Sequence, residues 1–496
     1  MWYMNHGRKA LSSSFYSKTF HCQMILPLLS ALSFFVGVLL ATFSAWSVPE
    51  WVWPLCLLFL FKEKTVGILV LAFLFGVFRM SSYEANLISS FQTGPADLEG
   101  RIVEEVDVRS DHQKITVLTE AGRVLVKVSV YEDFAYGDYV KISGILERTE
   151  AGDSYGRYLF RYRILYTMDR AKVDLVDPAG FSLRGELYKL KGVVQERINA
   201  LYFEPGASLV SGLLLGSRKG MSEELTLAFQ SVGLTHIVAV SGYNISLVIA
   251  CIFSLFGFLP LKKRVILSVV MVAAFVLFVG ASAAAVRAGI MGSLSMWGLY
   301  TGRRSQAFFA LLWSALGMTL WNPAILAFDI GFQLSFASTL GLLVFTPMLE
   351  RFVPLKMGFL KEALLLTLSA QLATFPFIVF YFGRLSLISP LANLAVAPLL
   401  PFAMLFSGLS LLASPVALLA SIYIKGIIFA TRLLAKVPYA DVPVTLSFWQ
   451  FIFSLLALSF GVLLFYKSKW ARAFGLSNGG VFSKVPRPQS QKHETQ

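Results

Sequence analysis

Cysteine, histidine and charge are all scarce in this sequence. Of its 496 residues, three are cysteine, five are histidine and only 15% carry a formal charge. Cys22, Cys56 and Cys251 are odd in number and lie in or beside apolar segments, so they imply no disulfide framework. The histidines are scattered, and no HxH, HExxH or CxxC spacing occurs. The sequence therefore predicts no metal site and contains no motif for a cofactor.

Apolar residues are what the sequence has in excess. They make up 56% of the chain, and the mean hydropathy is +0.67. A soluble protein of this length could not bury so much apolar surface, so the composition predicts a polytopic α-helical membrane protein. The net charge of +14 has two interpretations. It fits basic cytoplasmic loops, and it also fits a protein that handles an anionic substrate.

The N-terminal part contains three apolar segments. Met24–Trp46, Trp51–Phe61 and Thr65–Met80 predict a transmembrane region over residues 24–80, in which the middle segment is short for a crossing and could be re-entrant. A basic stretch, residues 1–23, precedes them, and no convincing A-x-A cleavage site occurs. We therefore expect a cytoplasmic N-terminus followed by a retained anchor.

Residues 95–180 differ in kind from their surroundings. Apolar and polar residues alternate in stretches such as KITVLTE and RVLVKVSVY, with turn signals between them. This period of two predicts a small antiparallel sheet or barrel, and the strand lengths suggest an OB-like domain. The stretch holds 12 Lys/Arg and 16 Asp/Glu, a net charge of −4, which is unfavourable for contacts with nucleic-acid phosphates.

One basic and aromatic stretch near the end of this domain suits nucleic acid better. Aromatic side chains stack on bases and arginines contact phosphates, as a sequence-tolerant single-strand site requires. The alternative is an interfacial belt at the level of the lipid headgroups. We name these residues the barrel patch and predict that DNA binds there first; they are Arg157, Tyr158, Arg161, Tyr162 and Arg163.

The remainder of the chain alternates between helices and basic loops. Residues 182–231 predict amphipathic interfacial helices, and residues 232–466 contain closely spaced apolar segments. If each basic loop faces the cytoplasm, the chain has about 12 spans, three before the β domain and nine after it. Both termini are then cytoplasmic and the β domain is extracytoplasmic. Residues 467–496 predict a basic, disordered tail.

Polar residues recur inside the predicted spans. Lipid cannot satisfy such groups, so we expect them to face a protein interior or a polar path. Arg287 lies among small residues that permit close packing, and Asp329 is the partner expected for its guanidinium, either as part of a path or as a purely structural pair. Residues 385–424 contain four prolines and no charge, which predicts either broken helices lining a cavity or a kinked span. The residues proposed to line the path are His236, Ser241, Gly242, Asn244, Arg287, Asp329, Gln333, Gln371 and Asn393.

Four stretches of the chain resemble the motifs of a known family. GLTHIVAVSGYNISL, AAAVRAGIM, FDIGFQLSFASTLGLL and AQLATFPFIVFYFGRLSLISPLANLAVAPLLP are similar, in this order, to motifs of the ComEC family of competence proteins. The resemblance implies N-terminal spans, an extracytoplasmic OB-type domain and a competence-type channel domain, here residues 232–466. It also implies a channel in the cytoplasmic (inner) membrane that carries single-stranded DNA during transformation. A DNA receptor and cytoplasmic translocation proteins are its implied partners.

The sequence departs from the family pattern in two places. Many members carry a C-terminal metallo-β-lactamase-like domain, whereas this chain stops soon after Lys467 and has no HxHxDH pattern. We therefore expect no nuclease activity, no metal and no enzyme function. The family often has SGLHV where this chain has SGYNI, from Ser241 to Ile245.

Two other functions compete with a DNA channel. A permease for a small anionic solute would also need a buried cation, with the β domain as an extracellular lid. An intramembrane enzyme would need a nucleophile and a base, for which His236 and Ser241 are the candidates. No GxSxG elbow is present, and nothing in the sequence specifies an oxyanion site, so this interpretation is the weakest of the three.

Overall fold

The computed structural model describes residues 26–44, 64–87, 91–108, 112–149, 154–217, 220–238, 242–302, 307–352 and 358–467. Four parts of the predictions lie outside these ranges: the N-terminal stretch 1–23, the apolar segment 51–61, Ser241, and the tail after Lys467.

The first two helices pack closely through a pair of glycines. These helices are α1, Leu26–Ser44, and α2, Lys64–Ala85. A Cβ at Gly37 would lie 2.0 Å from the carbonyl oxygen of Phe73, and one at Gly76 would lie 2.2 Å from that of Phe34. Both distances are shorter than any van der Waals contact. The two backbones therefore touch at a place where only glycine fits, as is common between membrane helices.

A larger residue at Gly76 should destabilise the chain. We expect Gly76→Leu to force α1 and α2 apart and to cost about 1–3 kcal/mol through overpacking. Size-exclusion chromatography of heated, detergent-solubilised protein would show this as a lower midpoint temperature. Gly461→Leu is the matched control, because no atom lies within 4 Å of a Cβ at that helical glycine. Equal midpoints for the two variants would contradict the close packing.

The β domain consists of seven short strands and one helix. Alternating burial along the strands, such as that of the strand Ile164–Met168, places one apolar face inside. The elements are β1 (Gly94–Ile102), β2 (Asp107–Val108), β3 (Gln113–Thr119), β4 (Gly122–Val128), β5 (Tyr139–Arg148), α3 (Ser154–Arg161), β6 (Ile164–Met168) and β7 (Lys172–Asp177).

Five of these strands close into a barrel. In the order β1-β3-β4-β6-β5, each strand pairs with the next, and β5 returns to pair with β1. All these pairings are antiparallel except that of β4 with β6. Gly100 pairs with Thr119 on one side and with Val140 on the other. A Cβ at Gly100 would lie 2.2 Å from the carbonyl oxygen of Leu118, so glycine is needed there. The barrel encloses an apolar core that includes Ile102, Ile115, Val117, Val126, Ile142, Tyr166 and Met168. A small closed barrel of this kind agrees with the OB-like expectation.

Helices make up most of the remaining described residues. Two further strands, β8 (Arg384–Ser386) and β9 (Asp441–Pro443), pair with each other antiparallel. The helices are α4 (Leu183–Leu201), α5 (Gly206–Leu215), α6 (Glu223–Ser231), α7 (Thr235–Val238), α8 (Gly242–Leu255), α9 (Leu261–Phe278), α10 (Ala283–Tyr300), α11 (Ala307–Trp321), α12 (Ala324–Phe328), α13 (Ile330–Leu349), α14 (Gly358–Phe382), α15 (Ser389–Val396), α16 (Leu400–Ser410), α17 (Val416–Ala435) and α18 (Phe448–Lys467).

Six helices in the described ranges are long and apolar enough to cross a membrane: α1, α2, α13, α14, α17 and α18. The pair α15 and α16 qualifies as a seventh span with a bend of 46° at the proline-rich break. The apolar helices α8 and α11 have 14 and 15 residues and are shorter than a full span. The protein is therefore a helical membrane protein, and the count of about 12 spans stays a prediction.

The helix α5 differs from the expectation for residues 182–231. That region was predicted to form interfacial helices, yet nearly every residue of α5 is buried. Its sequence, GASLVSGLLL, carries no charge, and a Cβ at Gly212 would lie only 2.7 Å from the carbonyl oxygen of Val238. Small uncharged residues permit this close approach, so α5 lies in the bundle core together with α7, α15, α16 and α17.

Candidate functional site

Arg287 is a buried cation between two helices of the bundle. It lies on α10, and its Nε donates a hydrogen bond of 2.7 Å to Ser335 Oγ on α13. The guanidinium carbon is 5.9 Å from the ring centroid of Phe336, and Nη1 is 3.5 Å from the sulfur of Met291. Across the described ranges, no carboxylate lies within ion-pair distance of Arg287. Most of its donors therefore remain available to an anion.

The start of α8 faces this guanidinium. A Cβ at Gly242 would lie 2.8 Å from Arg287 Nη2 and 3.7 Å from the Cβ of Ala288. The absence of a side chain thus lets the guanidinium approach the α8 backbone closely. Asn244 is also on α8 and is buried, with 2% of its surface exposed. The structure therefore brings Gly242 and Arg287, two of the predicted path residues, close together.

The predicted ion pair between Arg287 and Asp329 does not form. Asp329 Oδ2 lies 2.6 Å from Arg161 Nη1, on the helix α3 of the barrel domain. Asp329 Oδ1 accepts a hydrogen bond of 2.9 Å from the backbone N–H of Phe332, so this carboxylate also caps the start of α13. One oxygen of Asp329 thus caps a helix and the other pairs with Arg161 of the barrel domain. Neither oxygen pairs with Arg287.

The Arg161–Asp329 pair belongs to a larger junction between the barrel and the bundle. Tyr83 on α2 donates to the carbonyl oxygens of Phe160 and Arg161, at 3.0 and 3.2 Å. The amide of Asn322 donates to the same Arg161 carbonyl at 3.0 Å. Sequence reasoning missed Tyr83 and Asn322, because tyrosine and asparagine near the ends of predicted spans are unremarkable. Tyr83 and Asn322 are 239 positions apart in the chain and meet at the Arg161 carbonyl, and no local pattern indicates that.

The barrel patch is divided by this junction. Arg157, Tyr158 and Arg163 are exposed, whereas Arg161 is largely buried with Asp329. Arg161 also donates to the Tyr162 hydroxyl at 2.6 Å, and its guanidinium lies over the rings of Tyr158 and Tyr162, 5.0 and 4.5 Å from their centroids. Although much of the Tyr158 ring is exposed, desolvation by the surrounding protein, followed by the neighbouring Tyr162, raises the pKa of its hydroxyl well above the usual range, so this phenol stays neutral. Arg161 is thus withdrawn from the surface that DNA could reach.

Two predicted path residues converge on residues 386–389, from the end of β8 to the first residue of α15, here called the loop before α15. Gln371 on α14 donates from Nε2 to the carbonyl oxygen of Ser386 at 3.2 Å. Asn393 on α15 donates from Nδ2 to Ser389 Oγ at 3.4 Å. The two amides therefore hold opposite sides of one short segment, which neither the spacing nor the composition of the sequence indicated.

His236 reaches the same segment through Gly233. Its side chain is exposed, and Nδ1 lies 3.2 Å from the Gly233 carbonyl oxygen. Gly233 has φ = +71°, and a Cβ there would lie 2.8 Å from Ser389 Oγ and 3.2 Å from the Cβ of Ser386. A left-handed backbone and a close approach both require glycine at this position. Gln371 and Asn393 thus contact this segment directly, whereas His236 contacts Gly233, which packs against it.

Gln333 has a local role. Its Nε2 donates to the carbonyl oxygens of Leu326 and Ala327, at 3.0 and 2.9 Å, and so satisfies the end of the short helix α12. It therefore supports the junction beside Asp329. Within the described ranges, the path residues predicted from sequence fall into three places: the Arg287 site, the loop before α15, and the barrel junction.

No group of three or more His, Cys, Asp or Glu that could share a metal ion occurs within the described ranges. The described elements define a class of protein: a helical membrane protein with an inserted small β-barrel and buried polar groups inside its helical domain.

The chain belongs to the competence protein family. The family model described as "Competence protein" matches residues 213–470, slightly more than half of the chain. The chain is also similar to "ComE operon protein 3" of Bacillus subtilis (strain 168), with 26% identity over 254 residues. That alignment covers 51% of this chain and 32% of the relative, so the chain matches about a third of the relative's length. No solved structure matches the chain.

Proposed function

We propose that the protein takes up DNA in natural transformation, as a channel that passes single-stranded DNA across the cytoplasmic membrane. Membership of the competence family supports a role in competence. That the transported molecule is a DNA strand is inferred from chemistry. A nucleic-acid backbone carries one phosphate per nucleotide, and a buried cation in a polar interior can bind such a phosphate.

The observation that carries this proposal is the state of Arg287. A buried guanidinium normally pairs with a carboxylate, because an unpaired charge is costly to bury. In the described ranges Arg287 has instead a serine hydroxyl, a methionine sulfur and an aromatic ring, beside the side-chain-free Gly242. Such a cation is arranged for a transient anionic ligand rather than for permanent neutralisation. Backbone phosphate is the anion that the family's role supplies.

The proposed path runs through two zones of the bundle. Gly242 and Arg287 form one contact zone, with Asn244 on the same helix as Gly242, and His236, Gln371 and Asn393 form the other. Asp329 and Gln333 support the path from the barrel junction. Ser241 stays part of the proposal, outside the described residues. The exposed part of the barrel patch, Arg157, Tyr158 and Arg163, is where the strand would first stack and bind.

The proposed placement puts the barrel on the extracytoplasmic side and both termini in the cytoplasm. A DNA receptor outside and translocation proteins inside are the proposed partners, and no enzyme activity is assigned to the chain. A permease for a small anionic solute would use the same Arg287 site, so the decisive experiment must follow DNA itself.

Uptake of labelled DNA by a competent strain tests the proposal. We expect deletion of this chain to abolish nuclease-protected internal DNA while leaving surface-bound DNA unchanged, and plasmid-borne wild-type chain to restore it. Loss of surface binding as well would point to a receptor. The channel proposal would be wrong, and the permease favoured, if the deletion strain internalised DNA normally but no longer grew in response to a small anionic solute.

A further inference from the structure

A groove of about 690 Å³ runs along one side of α17. The segment between α4 and α5, Leu201–Gly206, forms one wall, and α17 forms the other from Ala417 to Lys436. This volume lies within the range of about 300–1,000 Å³ that small-molecule sites occupy. The groove is separate from Arg287 and from the loop before α15, neither of which contributes a lining residue.

The apolar part of the groove faces outward from a candidate span. Phe203 is 95% exposed, Leu418 76% and Phe429 68%, and all three line the groove. α17 itself is apolar enough to cross a membrane, with only a third of its span buried by other helices. The exposed apolar side of such a helix is covered by acyl chains in a bilayer. The groove therefore opens toward the lipid of the bilayer.

Three basic side chains line the same groove. Lys425, Arg432 and Lys436 follow one another at intervals of seven and four residues, which places them on one face of α17. Arg432 Nη2 lies 3.3 Å from Glu224 Oε1, an exposed carboxylate on α6. Glu204 is also in the groove, but its Oε2 accepts hydrogen bonds from the Ser208 hydroxyl and backbone N–H at 2.7 and 3.3 Å.

Lys425 is the residue that requires an explanation. It is the tenth of the 20 residues of α17 and is exposed, so at 1.5 Å per residue its Cα lies about 14 Å from the first residue of the helix and about 15 Å from the last. A charge at that depth on a lipid-facing helix is costly and marks a functional site unless it finds a partner. Within the described ranges no carboxylate pairs with Lys425 or Lys436. An anion supplied from outside the chain would neutralise these two lysines.

We propose that this groove binds one anionic phospholipid. Its headgroup phosphate lies between Lys425 and Lys436, whose side chains extend toward it from positions about 16 Å apart along the helix. Arg432 is shared between the phosphate and Glu224, and an acyl chain lies along Phe203, Leu418 and Phe429. Basic pockets beside apolar helices bind anionic lipid headgroups in this manner. A nucleic acid fits less well, because the exposed walls of the groove are aliphatic and phenyl groups that face the bilayer.

Native mass spectrometry of the full-length chain in detergent tests the site. Palmitoyl-oleoyl phosphatidylglycerol is added to one sample, and phosphatidylcholine with the same acyl chains to another. We expect the wild type to retain phosphatidylglycerol about tenfold more than phosphatidylcholine. Lys425→Leu/Lys436→Leu should abolish that preference. The single variants Lys425→Gln and Lys436→Gln should each lower it severalfold, which keeps the test valid if the double variant folds poorly.

The controls separate this groove from other basic surfaces and other anions. Lys262→Leu/Lys263→Leu removes the same charge from the exposed start of α9 and should leave the preference unchanged. Leu418→Trp fills the apolar part and should lower retention of both lipids. Equal retention of the two lipids by the wild type would overturn the proposal. So would displacement of phosphatidylglycerol by millimolar inorganic phosphate alone, or binding of a single-stranded oligonucleotide that depends on Lys425 while lipid binding does not.

Discussion

Replacing Arg287 with alanine is expected to lower DNA internalisation by about 100-fold or more, with normal amounts of protein in the membrane. A buried charge contact with a ligand is worth about 2–5 kcal/mol, and 100-fold corresponds to about 3 kcal/mol. The alanine variant also loses the hydrogen bond to Ser335 and opens a space beside Gly242. Because Arg287 makes no carboxylate pair among the described residues, its removal leaves no buried acid unpaired. The fold should therefore tolerate the change better than the function does.

Two milder variants distinguish the effect of the charge of Arg287 from the effect of its position. Arg287→Lys keeps the charge but not the planar fork of donors, so we expect it to restore uptake only in part. Ser335→Ala keeps the guanidinium and removes its anchor, and a loss of severalfold is expected. Lys262→Ala is the matched control, because it removes one positive charge from an exposed site at the start of α9. Wild-type uptake by Arg287→Ala at normal protein level would refute the phosphate contact.

The β domain and the long helices were predictable from sequence, because each has a strong pattern of apolar residues. Alternation in KITVLTE and RVLVKVSVY corresponds to the strands β3 and β4 of the barrel. The long apolar runs correspond to helices such as α13 and α14. Burial of Arg287 was also predictable, since the helix that carries it is rich in small residues. These features depend on local sequence, and local sequence was sufficient for them.

Partners in three dimensions were not predictable in the same way. Asp329 was assigned to Arg287 because both are charges in predicted spans, but its position directly before α13 is that of an N-cap. An aspartate preceding an apolar helical run is a recognised start signal, and it would have placed Asp329 at a helix end. Its partner Arg161 lies 168 residues earlier, in another domain. Only the packing of α3 against α12 brings the two together.

One nearly buried ion pair contributes to the contact between barrel and bundle, beside the hydrogen bonds of Tyr83 and Asn322. The side chains of Arg161 and Asp329 are 14% and 10% exposed, and the distance between them is 2.6 Å. Removing one member of such a pair costs about 3–5 kcal/mol, because the other charge is left buried without compensation. Asp329→Asn is the cleanest single change, since asparagine retains the helix cap and loses only the charge. Arg161→Met is the corresponding change on the barrel side.

Hydrogen exchange in α3 and α12 should report the strength of this junction. We expect either single variant to speed exchange in both segments by about 100-fold, which corresponds to about 3 kcal/mol of local stability, and to lower DNA internalisation with it. The double variant, Arg161→Met with Asp329→Asn, leaves no unpaired charge and should exchange more slowly than either single variant. Lys127→Met breaks the exposed Lys127–Asp169 pair and should change exchange by severalfold at most. If Asp329→Asn lowered uptake without changing exchange in α12, Asp329 would act on the strand itself, and the barrel would be held by Tyr83 and Asn322 instead.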